Sequence, residues 1–299
     1  MAQQPPAEQA APSAYRVSVD VNLVVLHATV LDRAGRFVSD LRAQDFQVFE
    51  DGVRQSIRLF RHEDIPVTVG LVVDHSGSMN RRMGEVVAAA RTFVRASNKD
   101  DEMFVVNFNE HVTLGLAGPI RFTNRIEELE AAIWNVPANG QTALYDAVLQ
   151  AQQHLQAGSK DKKVLIIISD GGDTASRRTL DDVLHAARQS DALLYPIGVF
   201  HPEDPDRNPG VLNRLAKATG GQAFFPGELD VEAICERIAQ DIRNQYTIGY
   251  FSSNGARAGS YRAIRVGAKA VGKSKLSVRS RSGYLTIGES PPESDEREK

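Results

Sequence analysis

The sequence predicts an α/β protein. A doubly wound, mostly parallel sheet flanked by helices is set inside a small β-sandwich-like domain built from both ends of the chain. Three observations carry this reading. Between residues 65 and 244, apolar strand runs alternate with segments of helical period. Before and after that stretch the pattern is short, alternating and strand-like. Neither flank alone has many strands, and small isolated sheets are marginal, so the economical solution pairs the two flanks with each other.

In the first arm (15–64), VSVDVNLVVLHATVLD alternates for much of its length and DRAGRF has the composition of a hairpin turn. DFQVFEDGVRQSIRLF alternates again, with Asp51-Gly52 as the turn signal between two runs. The central unit opens on PVTVGLVVD (66–74), a continuous apolar run of the kind a strand buried on both faces shows. Val86, Val87, Ala90, Phe93 and Val94 then repeat at helical spacing within 80–97. EMFVVNFN (102–109) and HVTLGL (111–116) read as strands, 126–136 as a weaker helix, and 142–156 as a helix with Leu144, Ala147, Val148, Ala151 and Leu155 on one face. KKVLIIISD (162–170) is the second strongly apolar strand. It is followed by a helix over 180–190, a strand over 192–200, a helix over 211–219, a short strand at QAFFP (222–226) and a helix over 233–243. The second arm (245–288) returns to strands in YTIGYFS, YRAIRVGA and KLSVRSRSGYL. Residues 1–14 and 289–299 are poor in large apolar side chains and are expected to be disordered.

Composition narrows the function. The net charge is −3 with no block of Lys or Arg, which argues against a nucleic-acid or membrane-surface protein. One cysteine, Cys235, excludes an internal disulfide framework and nearly excludes a thiolate metal site; its apolar helical setting makes it a core residue. No stretch reaches the roughly 18 apolar residues of a membrane helix. MAQQPPAEQAAPSA lacks the basic start and apolar middle of a signal peptide and reads as an Ala/Gln/Pro-rich spacer, so an extracytoplasmic setting is the expectation.

Candidate chemistry lies in GLVVDHSGSMN (70–80), where an apolar strand stops at Asp74-x-Ser76-x-Ser78. The plain alternative is a helix cap, since Ser and Asp often cap helices. Two other strand-to-helix junctions hold related residues: Gly140-Gln141-Thr142, and Ser169-Asp170-Gly171-Gly172-Asp173 after VLIIIS. In open parallel sheets, ligands bind outside the carboxyl ends of the strands. The set DHSGS, NGQTALYDA and IIISDGG, in this order and spacing, resembles the metal-ion-dependent adhesion site of von Willebrand factor type A domains, and the resemblance covers roughly 65–244. The strand-rich arms, with DFQVFEDG in the first, are also similar to bacterial proteins that carry such a domain between two β arms.

The resemblance implies direct metal contacts from Ser76, Ser78 and Thr142, with Asp74 and Asp170 acting mainly through water. An all-oxygen set suits a hard cation, Mg²⁺ first and Mn²⁺ or Ca²⁺ as alternatives. Neutral hydroxyls leave much of the ion's charge unquenched, so the open position favours an anion, and the implied partner is a protein presenting Asp or Glu. The implied function is a metal-dependent binding module of the adhesion type. Two rivals stand beside it: a metal-dependent hydrolase, and a scaffold whose metal is only structural. The chain lacks HExxH, a Walker lysine motif and a GxSxG elbow, and His75 is the one histidine beside the motif, so an enzyme is not expected. Around the site, His75 is expected at the rim, Asp173 as a cap for the following helix, and Asn109 and Glu110 as a plain turn. Trp134 is expected to be packed. The loop HPEDPDRNPG (201–210), with Arg177 and Arg178, is a candidate for shaping partner choice.

Overall fold

The computed structural model describes residues 23–62, 64–200, 205–226, 230–254, 259–273 and 275–286. The predicted disorder of 1–14 and 289–299 lies outside these residues.

At the centre is a sheet of strands β5 (Val67–Asp74), β6 (Glu102–Phe108), β7 (Val112–Leu114), β8 (Lys162–Ser169) and β9 (Leu193–Gly198), in the order β7-β6-β5-β8-β9. β5 runs parallel to β6 and β8, and β8 parallel to β9; β7 alone turns back antiparallel on β6. All eight residues of β5 are buried, which is why its sequence is a continuous apolar run rather than an alternation. Helices α1 (Met83–Ala96), α2 (Ile126–Trp134) and α6 (Val231–Arg243) cover one face. Helices α3 (Leu144–Leu155), α4 (Leu180–Gln189) and α5 (Pro209–Thr219) cover the other. The fold is therefore the doubly wound α/β sheet that the strand–helix alternation predicts. Cys235 is buried on α6 among Ile234, Ile238 and Ile242, a core residue as its setting implies.

QAFFP does not become a strand: Phe224 makes a single bridge to Ile197. With β9 already at the edge, this segment passes the sheet for one residue only before the chain leaves for α6.

The flanks build two further sheets, β12-β1-β10-β4 and β13-β11-β2-β3, from β1 (Leu23–Leu31), β2 (Phe46–Glu50), β3 (Val53–Gln55), β4 (Ile57–Arg61), β10 (Tyr246–Phe251), β11 (Tyr261–Ala268), β12 (Ser277–Arg279) and β13 (Gly283–Leu285). Each sheet mixes strands from both ends of the chain. β1 pairs antiparallel with β10 from Leu23↔Phe251 to Ala28↔Tyr246, and β2 with β11 from Glu50↔Ile264 to Phe46↔Ala268. Between the sheets lies one apolar core that includes Leu26, Val30, Val48, Tyr246, Ile248 and Ile264. The Asp51-Gly52 turn joins β2 to β3 with both residues at positive φ (47° and 83°), the conformation of a two-residue hairpin turn. The segment KLSVRSRSGYL is split, β12 joining one sheet and β13 the other.

The chain leaves the sandwich from β4 and returns on β10, and these strands are hydrogen-bonded neighbours, Arg61 opposite Thr247. A whole α/β layer can thus be inserted without disturbing the sandwich. A polar network welds the two. Asp241, buried near the end of α6, accepts from Thr29 Oγ of β1 at 2.6 Å and pairs with the guanidinium of Arg279 on β12, which also reaches Gln222. Gln245 Nε2 donates to the hydroxyl of the buried Tyr195 at 2.9 Å. The Lys162 ammonium, at the foot of β8, donates to the Ile242 carbonyl and so caps the C-terminal turn of α6.

Removing one member of a buried ion pair leaves the other charge stranded. Arg279→Ala is expected to cost roughly 3–5 kcal/mol, read as a lower urea midpoint. Adding Asp241→Asn to that variant is expected to recover most of the loss, the signature of a direct coupling in a double-mutant cycle.

Candidate metal centre

The strand order reverses between β5 and β8. From β5 the chain moves outward to β6 and β7, then returns to β8 and β9 on the other side. Loops leaving the carboxyl ends of strands at such a point diverge and open a crevice. Asp74 is the last residue of β5 and Asp170 directly follows β8, so topology brings two carboxylates distant in sequence to one place.

Asp74 is fully buried. Its Oδ1 accepts from Ser76 N at 2.8 Å and its Oδ2 from Ser169 Oγ at 2.6 Å. Burial is the largest influence on this carboxyl and raises its pKa. The bonds from Ser169 and Ser76 pull it back, the Asp170 charge raises it again, and the outcome is about 6. Asp170 is nearly as buried; its Oδ2 accepts from Ser78 Oγ at 2.7 Å and its Oδ1 from Gly172 N at 2.8 Å. The Ser76 and Ser78 hydroxyls are 3.1 Å apart. Ser76 occupies the N-cap position of the 3₁₀ turn Gly77–Arg82 yet makes no side-chain capping bond. A helix cap therefore does not account for these serines.

Thr142 is carried in by the loop before α3. Asn139 N donates to His75 O (2.8 Å) and Gly77 N to Gly140 O (3.2 Å), which lays this loop against the Ser76 turn. Thr174 N and Ala175 N donate to Thr142 O (2.8 and 2.9 Å), which ties it to the loop after β8. The Thr142 residue is buried, and its hydroxyl has no hydrogen-bond partner among the described residues. Ser76, Ser78, Thr142, Asp74 and Asp170 thus converge from the turns after β5 and β8 and from the loop between α2 and α3, which is a helix–helix connection rather than the strand-to-helix junction the sequence suggested at Thr142, and their functional atoms are all oxygen. Among the described residues no three His, Cys, Asp or Glu cluster as a metal site, so three of the five members are neutral hydroxyls.

Several supporting residues have roles the sequence reading did not assign. Ser169, the polar residue ending the apolar run before Asp170, bridges the Asp74 carboxylate and Gly171 N (3.0 Å). Glu110 accepts from Gln141 N at 2.7 Å and lies so close to Gly140, at φ 80°, that a Cβ there would collide with the carboxylate; Asn109 O accepts from Ala143 N at 2.7 Å. The 109–110 turn is thus a brace for the Thr142 loop.

Three expectations are corrected. His75 is buried rather than on the rim: its Nε2 lies 3.0 Å from Asn107 Oδ1, and burial, the largest influence, lowers its pKa. Asp173 caps α3, accepting from Tyr145 N at 2.9 Å, while the following helix α4 is capped by Thr179. Trp134 is 64% exposed, because α2 ends at that residue and its buried face is already filled by Leu129, Ala132 and Ile133. Of the loop 201–210, residues 201–204 lie outside the described set; beyond them, Asn208 N donates to Asp170 O at 2.9 Å, so this loop adjoins the crevice.

Comparison with known proteins agrees with the α/β fold. The family model for the von Willebrand factor type A domain matches residues 68–236, over half of the chain. The chain belongs to the von Willebrand factor type A domain family. Mouse inter-alpha-trypsin inhibitor heavy chain H2 is 27% identical over 173 residues, which is 54% of this chain and 18% of that much longer protein. Among solved structures, a von Willebrand factor type A protein from Catenulispora acidiphila is similar with a TM-score of 0.50 at 13% identity, covering 91% of this chain and 76% of that one. The von Willebrand domain of the type V pili tip protein Mfa5 from Porphyromonas gingivalis gives 0.48 at 13% identity, covering 60% and 95%. At these identities the structural likeness is one of fold.

The raised Asp74 pKa has a consequence for the metal-free protein. Between the ordinary 3.8 and about 6, the folded chain holds a proton that the unfolded chain has lost, so stability contributed by this group falls as pH rises through that window. Above it the penalty is roughly 3 kcal/mol, at about 1.4 kcal/mol per pH unit. In EDTA at pH 7, Asp74→Asn is therefore expected to melt at a higher temperature than the parent, and the two proteins are expected to converge near pH 4.

Proposed function

We propose that this von Willebrand factor type A domain binds a partner protein by coordinating one of its Asp or Glu side chains through a divalent cation, Mg²⁺ first and Mn²⁺ or Ca²⁺ as alternatives. The observation that carries the reading is the convergence of Ser76, Ser78 and Thr142 with the buried Asp74–Asp170 pair at the switch point of the sheet. The residues fit such an ion. Ser78 spends its proton on Asp170, the Thr142 hydroxyl lacks a partner among the described residues, and burial holds Asp74 in a state that a nearby positive charge would relieve. Hard oxygen donors match Mg²⁺, which keeps several waters and is satisfied by few protein ligands.

In this reading Ser76, Ser78 and Thr142 contact the ion directly, and Asp74 and Asp170 hold its waters and those hydroxyls in place. The ion supplies a Lewis-acidic position open to a carboxylate. Ser169 keeps the Asp74 carboxylate oriented, and the Glu110 brace fixes where Thr142 sits. Binding is favoured over catalysis because His75, the one histidine beside the motif, is buried against Asn107. A general base must reach the proton it takes.

Calorimetric titration with Mg²⁺ tests the site. Thr142→Ala and Ser78→Ala are each expected to weaken Mg²⁺ binding by about 10-fold or more with unchanged far-UV circular dichroism. Recovery of a partner from an envelope fraction is expected to depend on Mg²⁺ and to be lost in EDTA. A fall in melting temperature on chelation with partner recovery intact would instead identify a structural metal, and metal-dependent turnover of a substrate would identify an enzyme.

A further inference from the structure

The edge of the sheet that holds the crevice also carries arginines whose guanidinium groups make no hydrogen bond or salt bridge among the described residues. Arg81 lies in the turn Gly77–Arg82, three residues past Ser78, on the side covered by α1. Arg177 and Arg178 lie in the loop between Asp170 and α4, on the side covered by α3 and α4. Their backbone N–H groups both donate to the Asp146 carboxylate in the first turn of α3, each at 3.0 Å, which fixes the loop beside the Thr142 junction. All three residues are exposed, and none of the three guanidinium groups makes a hydrogen bond or salt bridge among the described residues. Elsewhere on the surface some arginines are paired, Arg36 with Asp32, Arg91 with Glu130 and Arg125 with Glu128, while Arg33, Arg54, Arg58 and Arg61 are exposed without such a partner among the described residues.

The carboxylates available on that edge are already engaged. Asp173 is held by Tyr145 N and Ser176, Glu110 by Gln141 N, and Asp206 sits on the loop packed against Gly172. Arg82 has Glu85, and Arg207 lies over the Phe200 ring. Positive charge without a salt bridge among the described residues, Arg178 lying within electrostatic reach of Asp182, therefore flanks the crevice on two sides, in a chain whose net charge is negative.

We propose that the partner segment is acidic on both sides of the residue that enters the crevice, with flanking Asp or Glu side chains meeting Arg81 on one side and Arg177 and Arg178 on the other. This rests on the metal-dependent reading above and specifies the partner's chemistry. Charge complementarity selects the occupant: guanidinium groups match carboxylates in a two-pronged geometry that lysine does not offer. Three separated arginines are too few for the basic stripe that nucleic acid requires. Because the arginines are exposed, their contribution is screened by salt and acts more on partner choice than on raw affinity.

Two fluorescein-labelled peptides test this by anisotropy: a Gly/Ser heptapeptide with one central Glu, and the same peptide with two Asp on each side of it. In Mg²⁺ at low salt the acidic peptide is expected to bind about tenfold more tightly. Arg81→Ser and the double variant Arg177→Ser/Arg178→Ser are each expected to erase several-fold of that preference while leaving calorimetric Mg²⁺ affinity unchanged. Equal affinity for the two peptides, or a preference that survives both variants, overturns the proposal and leaves the metal reading standing. Acidic-peptide binding that keeps full strength in EDTA but falls in the arginine variants supports the arginine flanks and overturns the metal reading. The exposed Trp134, the chain's one tryptophan, gives a second readout on this edge, since Asn107 links the last turn of α2 at Ala132 O to His75.

Discussion

Two carboxylates end adjacent parallel strands in the driest part of the sheet, and much of the surrounding structure exists to make that tolerable. Asp74 and Asp170 are buried, and the Asp170 charge adds to the cost of ionising Asp74. Buried charges persist only when hydrogen-bonded or paired. Ser76 N, Ser169 Oγ at the end of β8, Ser78 Oγ and Gly172 N supply the bonds. These bonds do not bring Asp74 back to an ordinary carboxyl, and the residual strain is electrostatic rather than geometric. A structural core would have no reason to keep it, since apolar residues would pack there at lower cost. In the proposed reading, a site that attracts a cation does.

The sandwich serves the same end from below. The α/β layer leaves and re-enters through neighbouring strands β4 and β10, so the sandwich fixes both ends of the layer at once. α6 runs directly into β10, and its last turn is held from three directions: by Thr29 and Arg279 through Asp241, and by Lys162 through the Ile242 carbonyl. Lys162 is itself buried, and burial outweighs the attraction of Asp241, Asp64 and Asp101, bringing its pKa down to about 7. The foot of the layer therefore pairs its charge, Asp241 with Arg279, although Gln245 Oε1 is buried without a partner, whereas neither carboxylate of the crevice at its head has an ion-pair partner among the described residues. That asymmetry separates a joint from a binding site.

Much of this was legible in the sequence, for identifiable reasons. β5 and β8 announce themselves because burial on both faces leaves no polar position to confuse the pattern. The Asp51-Gly52 hairpin is legible because positive φ at two consecutive positions admits few residue types. The five residues of the candidate site stood out because Asp74, Ser76, Ser78 and Asp170 sit at or just past the ends of β5 and β8, and Thr142 directly precedes α3. What could not be read depends on which surface a side chain meets. Whether Trp134 packs is decided by where α2 stops, and whether His75 reaches solvent is decided by Asn107 on the neighbouring strand. Asp173 could cap either of two helices, and the fold brings the N-terminus of α3 to it, although α3 precedes it in sequence. KLSVRSRSGYL reads as one strand run, yet its halves serve opposite sheets, since pairing partners from the far end of the chain divide it.

The composition of the crevice bears on why a partner would be needed at all. A cage of three or more carboxylates neutralises a divalent cation and holds it without leaving appetite for another anion; the described residues contain no such cluster. Here two carboxylates match the formal charge of the ion, but in the proposed reading they act through water and hydroxyls, so the ion's outward face stays electron-poor. The proposed acidic partner follows the same economy: a segment drawn in by Arg81, Arg177 and Arg178 would arrive with its carboxylates already oriented toward positive charge. In that reading affinity comes from the metal, and discrimination from the arginines. Ionic strength should weaken the second more than the first, because exposed guanidinium groups are screened by salt and a buried ion–carboxylate contact is not.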